Sequence, residues 1–141
     1  MALTARRTAE YSWGGKSSAI SWDPRWGKPT CVTAVGSRTT GTIRPYGLDC
    51  SGFVDWVFNN SLGYVIGHGG AASQHDYCKP ISWSEAQSGD LVFYPGDTHV
   101  GVFVGKDSNG DPLIIHCASS QKNVVLTGLQ GFVSIGRPDC F

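Results

Sequence analysis

One cysteine and two histidines in this chain belong together chemically: Cys50, His99 and His116. A thiol becomes a nucleophile when a base within hydrogen-bond reach takes its proton, and an imidazole serves as that base when a further group orients it. Cys50 lies in Leu48-Asp49-Cys50-Ser51-Gly52-Phe53-Val54-Asp55-Trp56-Val57-Phe58. Cys50, Phe53, Val54, Val57 and Phe58 recur at i, i+3, i+4, i+7 and i+8, one face of a helix turned toward a core. Asp49 suits the N-cap of that helix, expected over residues 49–60. Cys50 then sits in the first turn, where free N–H groups and the positive helix end favour a thiolate. Each residue also has a plainer reading: Cys50 as a small core filler, His99 as a strand-end histidine on a loop carbonyl, His116 as a satisfied core histidine beside Cys117. As a Cys-His-His set they outweigh those separate readings.

β-Strands must position the two histidines. Leu91–Tyr94 reads as a buried strand, Pro95-Gly96-Asp97 as a turn, and His99–Val104 as a second strand. Residues 107–112 form a hairpin loop containing Asn109-Gly110. Leu113–Cys117 is a third strand and Val124–Leu126 a fourth. His99, Gly101 and Phe103 share one face, as do Ile114 and His116. Glycine at 101 leaves room for another element, such as the N-terminus of the cysteine helix. An antiparallel register that sets His116 opposite His99 or Gly101 brings the side chains to roughly 5–8 Å at Cβ. A two-residue Asn109-Gly110 turn would instead set His116 opposite Phe103, so the longer loop is preferred.

At 141 residues the chain fits one domain, 1–141, with a proper core. Its formal net charge is zero, so no basic field invites nucleic acid. With 19 glycines, five tryptophans and only 16% charged residues, it suits a turn-rich α+β domain and not a disordered one. No apolar run is long enough to span a membrane, and residues 1–7 lack the apolar core of a signal peptide. Either an intracellular protein or a domain cut from a longer exported one fits. Residues 1–10 favour a short helix, Cys31–Val35 a short strand, Tyr64–Ile66 an extended piece, and Ala71–Tyr77 a further helical turn.

The cysteines are Cys31, Cys50, Cys78, Cys117 and Cys140. None is paired at C-x-x-C spacing, which weakens metal and redox readings, and no metal or cofactor is expected. The odd count leaves one thiol unpaired; if that is Cys50, the other four form two bridges or none. His68 and His75 read as ordinary surface or hydrogen-bonding histidines.

Four blocks now bear on family. Tyr11-x-Trp13-Gly14-Gly15, Asp49-Cys50-Ser51-Gly52-Phe53-Val54, Gly89-Asp90-Leu91-Val92-Phe93-Tyr94 with His99-Val100-Gly101-Val102, and Ile115-His116-Cys117 stand in the order of the NlpC/P60 family. The chain resembles that family of papain-like cysteine peptidases of bacterial cell-wall peptides, most specifically in the cysteine block. The resemblance implies an α+β papain-like fold with N-terminal helices on a small antiparallel sheet. It implies Cys50 as nucleophile, His99 as base and His116 as the orienting residue. It brings Tyr11 to the site from the N-terminal loop and sets Asp49 and Ser51 near the substrate's free amine. The implied reaction is hydrolysis of the γ-D-glutamyl–diamino acid bond in peptidoglycan stem peptides. Extracellular or cell-wall location in a bacterium follows from the same resemblance; a monomer is expected.

The stretch Lys16–Pro45 is longer than that family usually has between its first two blocks. It carries Trp22 and Trp26, and Lys16, Arg25, Lys28, Arg38 and Arg44 against the single acid Asp23. One reading makes it a wall of the substrate groove, with Trp22 and Trp26 as stacking faces and Arg38 and Arg44 on stem-peptide carboxylates. The other makes it a tryptophan-pinned loop with no substrate role. Rival functions are a papain-like amidase or acyltransferase acting on another amide or a lipid, and a catalytically silent wall-binding module.

Overall fold

Asp49 ends an extended segment, and its carboxylate accepts a hydrogen bond from the Gly52 N–H at 2.6 Å, so a helix starts at Cys50. The helix, α1 (Cys50–Leu62), ends at Gly63, whose φ of 61° is the left-handed conformation that glycine adopts without strain. The computed structural model describes residues 16–141 apart from 18, 22, 37–38, 68 and 119–122. The helix expected over residues 1–10, the Tyr11-x-Trp13-Gly14-Gly15 block, Trp22, Arg38 and His68 lie outside the described residues.

The expected helix face holds for Phe53, Val54 and Phe58, which are buried, but Trp56 is fully buried too. A second element covers that other side. Ala19 and Ser21 lie along α1: the Trp56 indole N–H donates to the Ser21 carbonyl at 3.0 Å and Asn60 Nδ2 to the Ala19 carbonyl at 3.1 Å. Trp26 packs edge-on against Trp56 with ring centroids 5.1 Å apart. Covered on two sides, the helix has a wider apolar stripe than one face would need.

Around α1 the described elements are β1 (Pro29–Cys31), β2 (Ile43–Pro45), α2 (Ala71–Asp76), β3 (Cys78–Pro80), β4 (Leu91–Phe93), β5 (Val100–Lys106), β6 (Pro112–Ala118), β7 (Asn123–Thr127) and β8 (Ser134–Pro138). β1 and β2 form a separate antiparallel pair. The strand expected at Cys31–Val35 is therefore shifted toward the N-terminus, because its pairing partner is Ile43–Pro45. Tyr64–Ile66 forms no strand. The other strands make an antiparallel sheet of order β3-β8-β4-β5-β6-β7. This is an α+β architecture, with α1 packed on β5 and β6.

Strand alternation divides the core between the two faces of the sheet. Leu91, Phe93, Val100, Val102, Ile115 and Cys117 join α1, while Val92, Phe103, Ile114, Phe132 and Ile135 form a second apolar layer. β8 escapes a sequence reading: Ser134-Ile-Gly-Arg-Pro has neither alternation nor β-branched enrichment, yet it lies between β3 and β4. Its Arg137 grips the buried Asp90 carboxylate through Nε at 3.0 Å and Nη2 at 2.9 Å.

Candidate active site

Capping places the cysteine. With Asp49 as N-cap, Cys50 is the first helical residue and half-buried. Backbone N–H groups of Val100 and Ser51 reach its thiol. Val100 follows His99, so the thiol lies at the start of β5, where the chain leaves the Pro95–Asp97 turn. That turn is closed by the Tyr94 N–H donating to the His99 carbonyl at 3.0 Å.

Register places the second histidine. Val102 pairs with Ile115 and Phe103 with Ile114, which continues to His116 opposite Gly101. His99 Nε2 and His116 Nδ1 are 2.7 Å apart, with the rings inclined at 71°. His116 is buried, and its Nε2 lies 2.9 Å from Thr127 Oγ1, whose hydroxyl donates to the Gly128 carbonyl at 3.0 Å. Tyr94 and Phe132 wall the pair: their ring centroids are 4.8 and 5.7 Å from that of His99, and Phe132 is 5.2 Å from His116.

Gly101 does not make room for the cysteine helix. A Cβ there would meet Ile114 Cγ2 at 2.7 Å, His116 Cβ at 3.1 Å and Phe132 Cζ at 3.2 Å, all belonging to the other face of the sheet. Odd-numbered positions of β5 near the site face away from α1, so the clearance serves the histidine pair.

Electrostatics also departs from expectation. Burial, and then the Asp49 carboxylate, push the Cys50 thiol above its ordinary value. The Val100 and Ser51 N–H groups and Lys16 pull it down without overcoming that rise. A place at the helix start alone does not mark a thiolate, because burial and the Asp49 carboxylate outweigh the groups that stabilise the charge. Burial holds His99 down to about 4; His116 is held to about 4 by burial and then by His99. At neutral pH the resting pair is a neutral thiol and a neutral imidazole.

Of the expected substrate contacts, Asp49 and Ser51 flank Cys50. Lys16 Nζ lies 2.9 Å from Asp49 Oδ1 and 2.5 Å from Ser51 Oγ, so an ammonium of the chain itself occupies their side. Trp26 is corrected: it is 6% exposed and packed in the core on Trp56, where it pins the loop and offers no face to a ligand. Arg44 is exposed on β2, its Nε 3.4 Å from Thr42 Oγ1. The basic loop is also partly neutralised. Arg25 holds Asp23 by two bonds (3.0 and 2.7 Å) and stacks over Tyr46, and this guanidinium is the main cause that draws the Asp23 carboxyl down to about 2. His75 is a hydrogen-bonding histidine, 2.8 Å from Asp97 through Nδ1 and stacked on Phe93. Thr127 and Phe132 escaped the sequence reading, since a threonine at a strand end and a phenylalanine in a glycine-flanked loop carry no periodic signal. Among the described residues no group of three or more His, Cys, Asp or Glu gathers to hold a metal ion.

The sequence model of the NlpC/P60 family matches residues 8–132. The chain is 43% identical over 70 residues to the probable endopeptidase p60 of Listeria grayi, covering 48% of this chain and 13% of that protein. It is 45% identical over 65 residues to the bifunctional muramidase/DL-endopeptidase of Bacillus subtilis, covering 42% of this chain and 19% of that protein. The chain thus spans less than a quarter of the length of either relative. The structure of the peptidoglycan hydrolase RipB from Mycobacterium tuberculosis superposes with a TM-score of 0.68 at 26% identity, covering 96% of this chain and 60% of that one.

Proposed function

This chain belongs to the NlpC/P60 family, and from that premise we propose that it is a cysteine endopeptidase of peptidoglycan stem peptides, cutting the γ-D-glutamyl–diamino acid bond. The observation that carries the reading is the 2.7 Å His99 Nε2–His116 Nδ1 bond at the start of β5, whose first residue, Val100, draws the Cys50 thiol down through its backbone N–H. The relatives named as endopeptidases support the reaction class, and the DL-endopeptidase among them supports the bond.

His99 is half-buried with Nε2 engaged by His116, which leaves Nδ1 to take a proton. In the proposed reaction Nδ1 removes the Cys50 Sγ proton as the sulfur attacks the carbonyl carbon. Charge develops on the carbonyl oxygen, and the N–H of Cys50, which has no partner within α1 because it starts the helix, stabilises it. The imidazolium then protonates the leaving amine, the C–N bond breaks, and a thioester remains on Cys50. Water, deprotonated by His99, attacks the thioester and releases the carboxylate and the free enzyme. His116 orients the base throughout. Since thiol and imidazole rest neutral, the proton moves within the site during attack, and buried surroundings keep both charges of the transient pair close together. Asp49 and Ser51 bind the ammonium end of the substrate, which takes the place of Lys16 Nζ. The reading assigns the chain a place of action in the bacterial wall, as one catalytic domain.

Digestion of purified muropeptides, followed by mass spectrometry, tests this. Wild-type protein yields fragments ending at the γ-D-glutamyl carboxyl, and Cys50→Ala yields none. Cleavage by Cys50→Ala would remove the mechanism. Products cut at another amide would replace the endopeptidase with an amidase, and no product from wild type would leave a wall-binding module.

A further inference from the structure

The hydrogen bonds that run from His99 through His116 do not stop at the second histidine. His116 Nε2 lies 2.9 Å from Thr127 Oγ1, and Thr127 Oγ1 lies 3.0 Å from the Gly128 carbonyl oxygen. A hydroxyl has one proton, and a carbonyl can only accept. Both contacts are hydrogen bonds at once only if Thr127 donates to Gly128 and accepts from His116 Nε2–H. A neutral imidazole carries one proton, so His116 Nδ1 must then be the acceptor in its 2.7 Å contact with His99. His99 Nε2 accordingly carries its proton, and His99 Nδ1 is left as a lone pair. The opposite direction fails at its end: Thr127 donating to His116 would set its oxygen against the Gly128 oxygen with no proton between them. It would also put the His99 proton on Nδ1, where it could not receive one from a thiol.

We infer that Thr127 is a positioning residue that fixes the tautomers of both histidines and so keeps His99 Nδ1 unprotonated and ready as the base. The pair is neutral, with His116 buried and His99 half-buried, so proton placement is decided by hydrogen-bond partners and not by charge. Topology makes the contact: Ile114 pairs with Thr127 and His116 with Val125, so Thr127 is the diagonal neighbour of His116 on one face of β6 and β7. The inference rests on the Cys-His-His reading for its effect on rate, but the tautomers themselves can be read without substrate.

The test has two parts. In 15N-labelled wild-type protein at neutral pH, NMR should find both histidines protonated at Nε2; a proton on Nδ1 of either would overturn the inference whatever the enzyme cleaves. In Thr127→Val the acceptor is gone, and a mixture of tautomers should appear. The rate of Cys50 alkylation by iodoacetamide and kcat on a synthetic stem peptide should both fall about tenfold, with KM unchanged. Thr127→Ser should restore them. An amide has no tautomers, so in a His116→Asn background Thr127→Val should lose its effect. An equal loss in both backgrounds would make Thr127 a packing residue and overturn the proposal. A wrong substrate assignment would instead silence kcat while leaving the alkylation and NMR results intact.

Discussion

Gly101 and His116 face one another so closely that a Cβ on residue 101 would lie 3.1 Å from the His116 Cβ. The same added carbon would stand 2.7 Å from Ile114 Cγ2. Gly101→Ala should therefore push His116 away from His99, reducing kcat by at least tenfold while costing about 1–3 kcal/mol of stability. Activity assays beside urea unfolding separate the two effects. Wild-type kcat in a folded Gly101→Ala protein would mean that the strand pair opens without disturbing the histidines.

The two histidines give stability and activity a shared acid limit. Each has a folded pKa of about 4 against an ordinary 6.5, so the unfolded chain binds more protons between those values. Stability is full above pH 6.5 and falls as pH drops toward 4. Asp23, lowered from 3.8 to about 2, contributes in a separate window below that. In the free enzyme the acid limb of kcat/KM should lie near pH 4, and burial of Cys50 should move the alkaline limb above the ordinary thiol value. An acid limb near 6.5 would show that His99 is not held neutral by its surroundings.

Lys16 lowers the Cys50 pKa, although its ammonium is well exposed and water weakens the effect. Lys16→Met should slow iodoacetamide labelling of Cys50 by roughly two- to threefold at low ionic strength. Lys16→Arg should preserve the rate, and added salt should shrink the difference. Faster labelling in Lys16→Met would assign Lys16 a shielding role instead.

Trp26 tests the loop. Because it fills a core site against Trp56, Trp26→Ala should cost about 3–5 kcal/mol, seen as a lower urea midpoint. In conditions where the variant is folded, KM should stay as in wild type. A raised KM without loss of stability would return Trp26 to the groove wall.

Local signals carried the central elements. Asp49 and the spacing from Cys50 to Phe58 mark α1, and alternation marks β5 and β6 well enough to bring His99 and His116 onto one face. What remained hidden depends on partners distant in sequence. Burial of Trp56 follows from Ser21 and Trp26 lying against it, and β8 becomes a strand because β3 and β4 flank it. The helix start suggested a thiolate at Cys50, but desolvation is a property of the packed site and no sequence pattern reports it. Trp26 looked like a ligand contact, and Arg25 added to the basic charge of its loop; Trp56, Asp23 and Tyr46 turn out to occupy them.

The sheet contains one irregularity with a reach beyond its own position. Between Phe103 and Gly105 the β5–β6 register slips, so Gly105 pairs with Leu113 and Lys106 with Pro112. Extended to the site, that loop-end register would set His116 opposite Val102, on the side where α1 packs. One surplus residue, Val104, absorbs the offset between the two registers and so lets His116 emerge on the side away from α1. For the gene this means that loss of codon 104 would remove the slip and leave the whole hairpin in the register that sets His116 opposite Gly101, whereas an inserted codon on this stretch would have to be absorbed by a second slip. Codons of the Asp107–Asp111 loop can change in kind with little consequence there, since the bulge acts as a joint between the hairpin tip and the histidines.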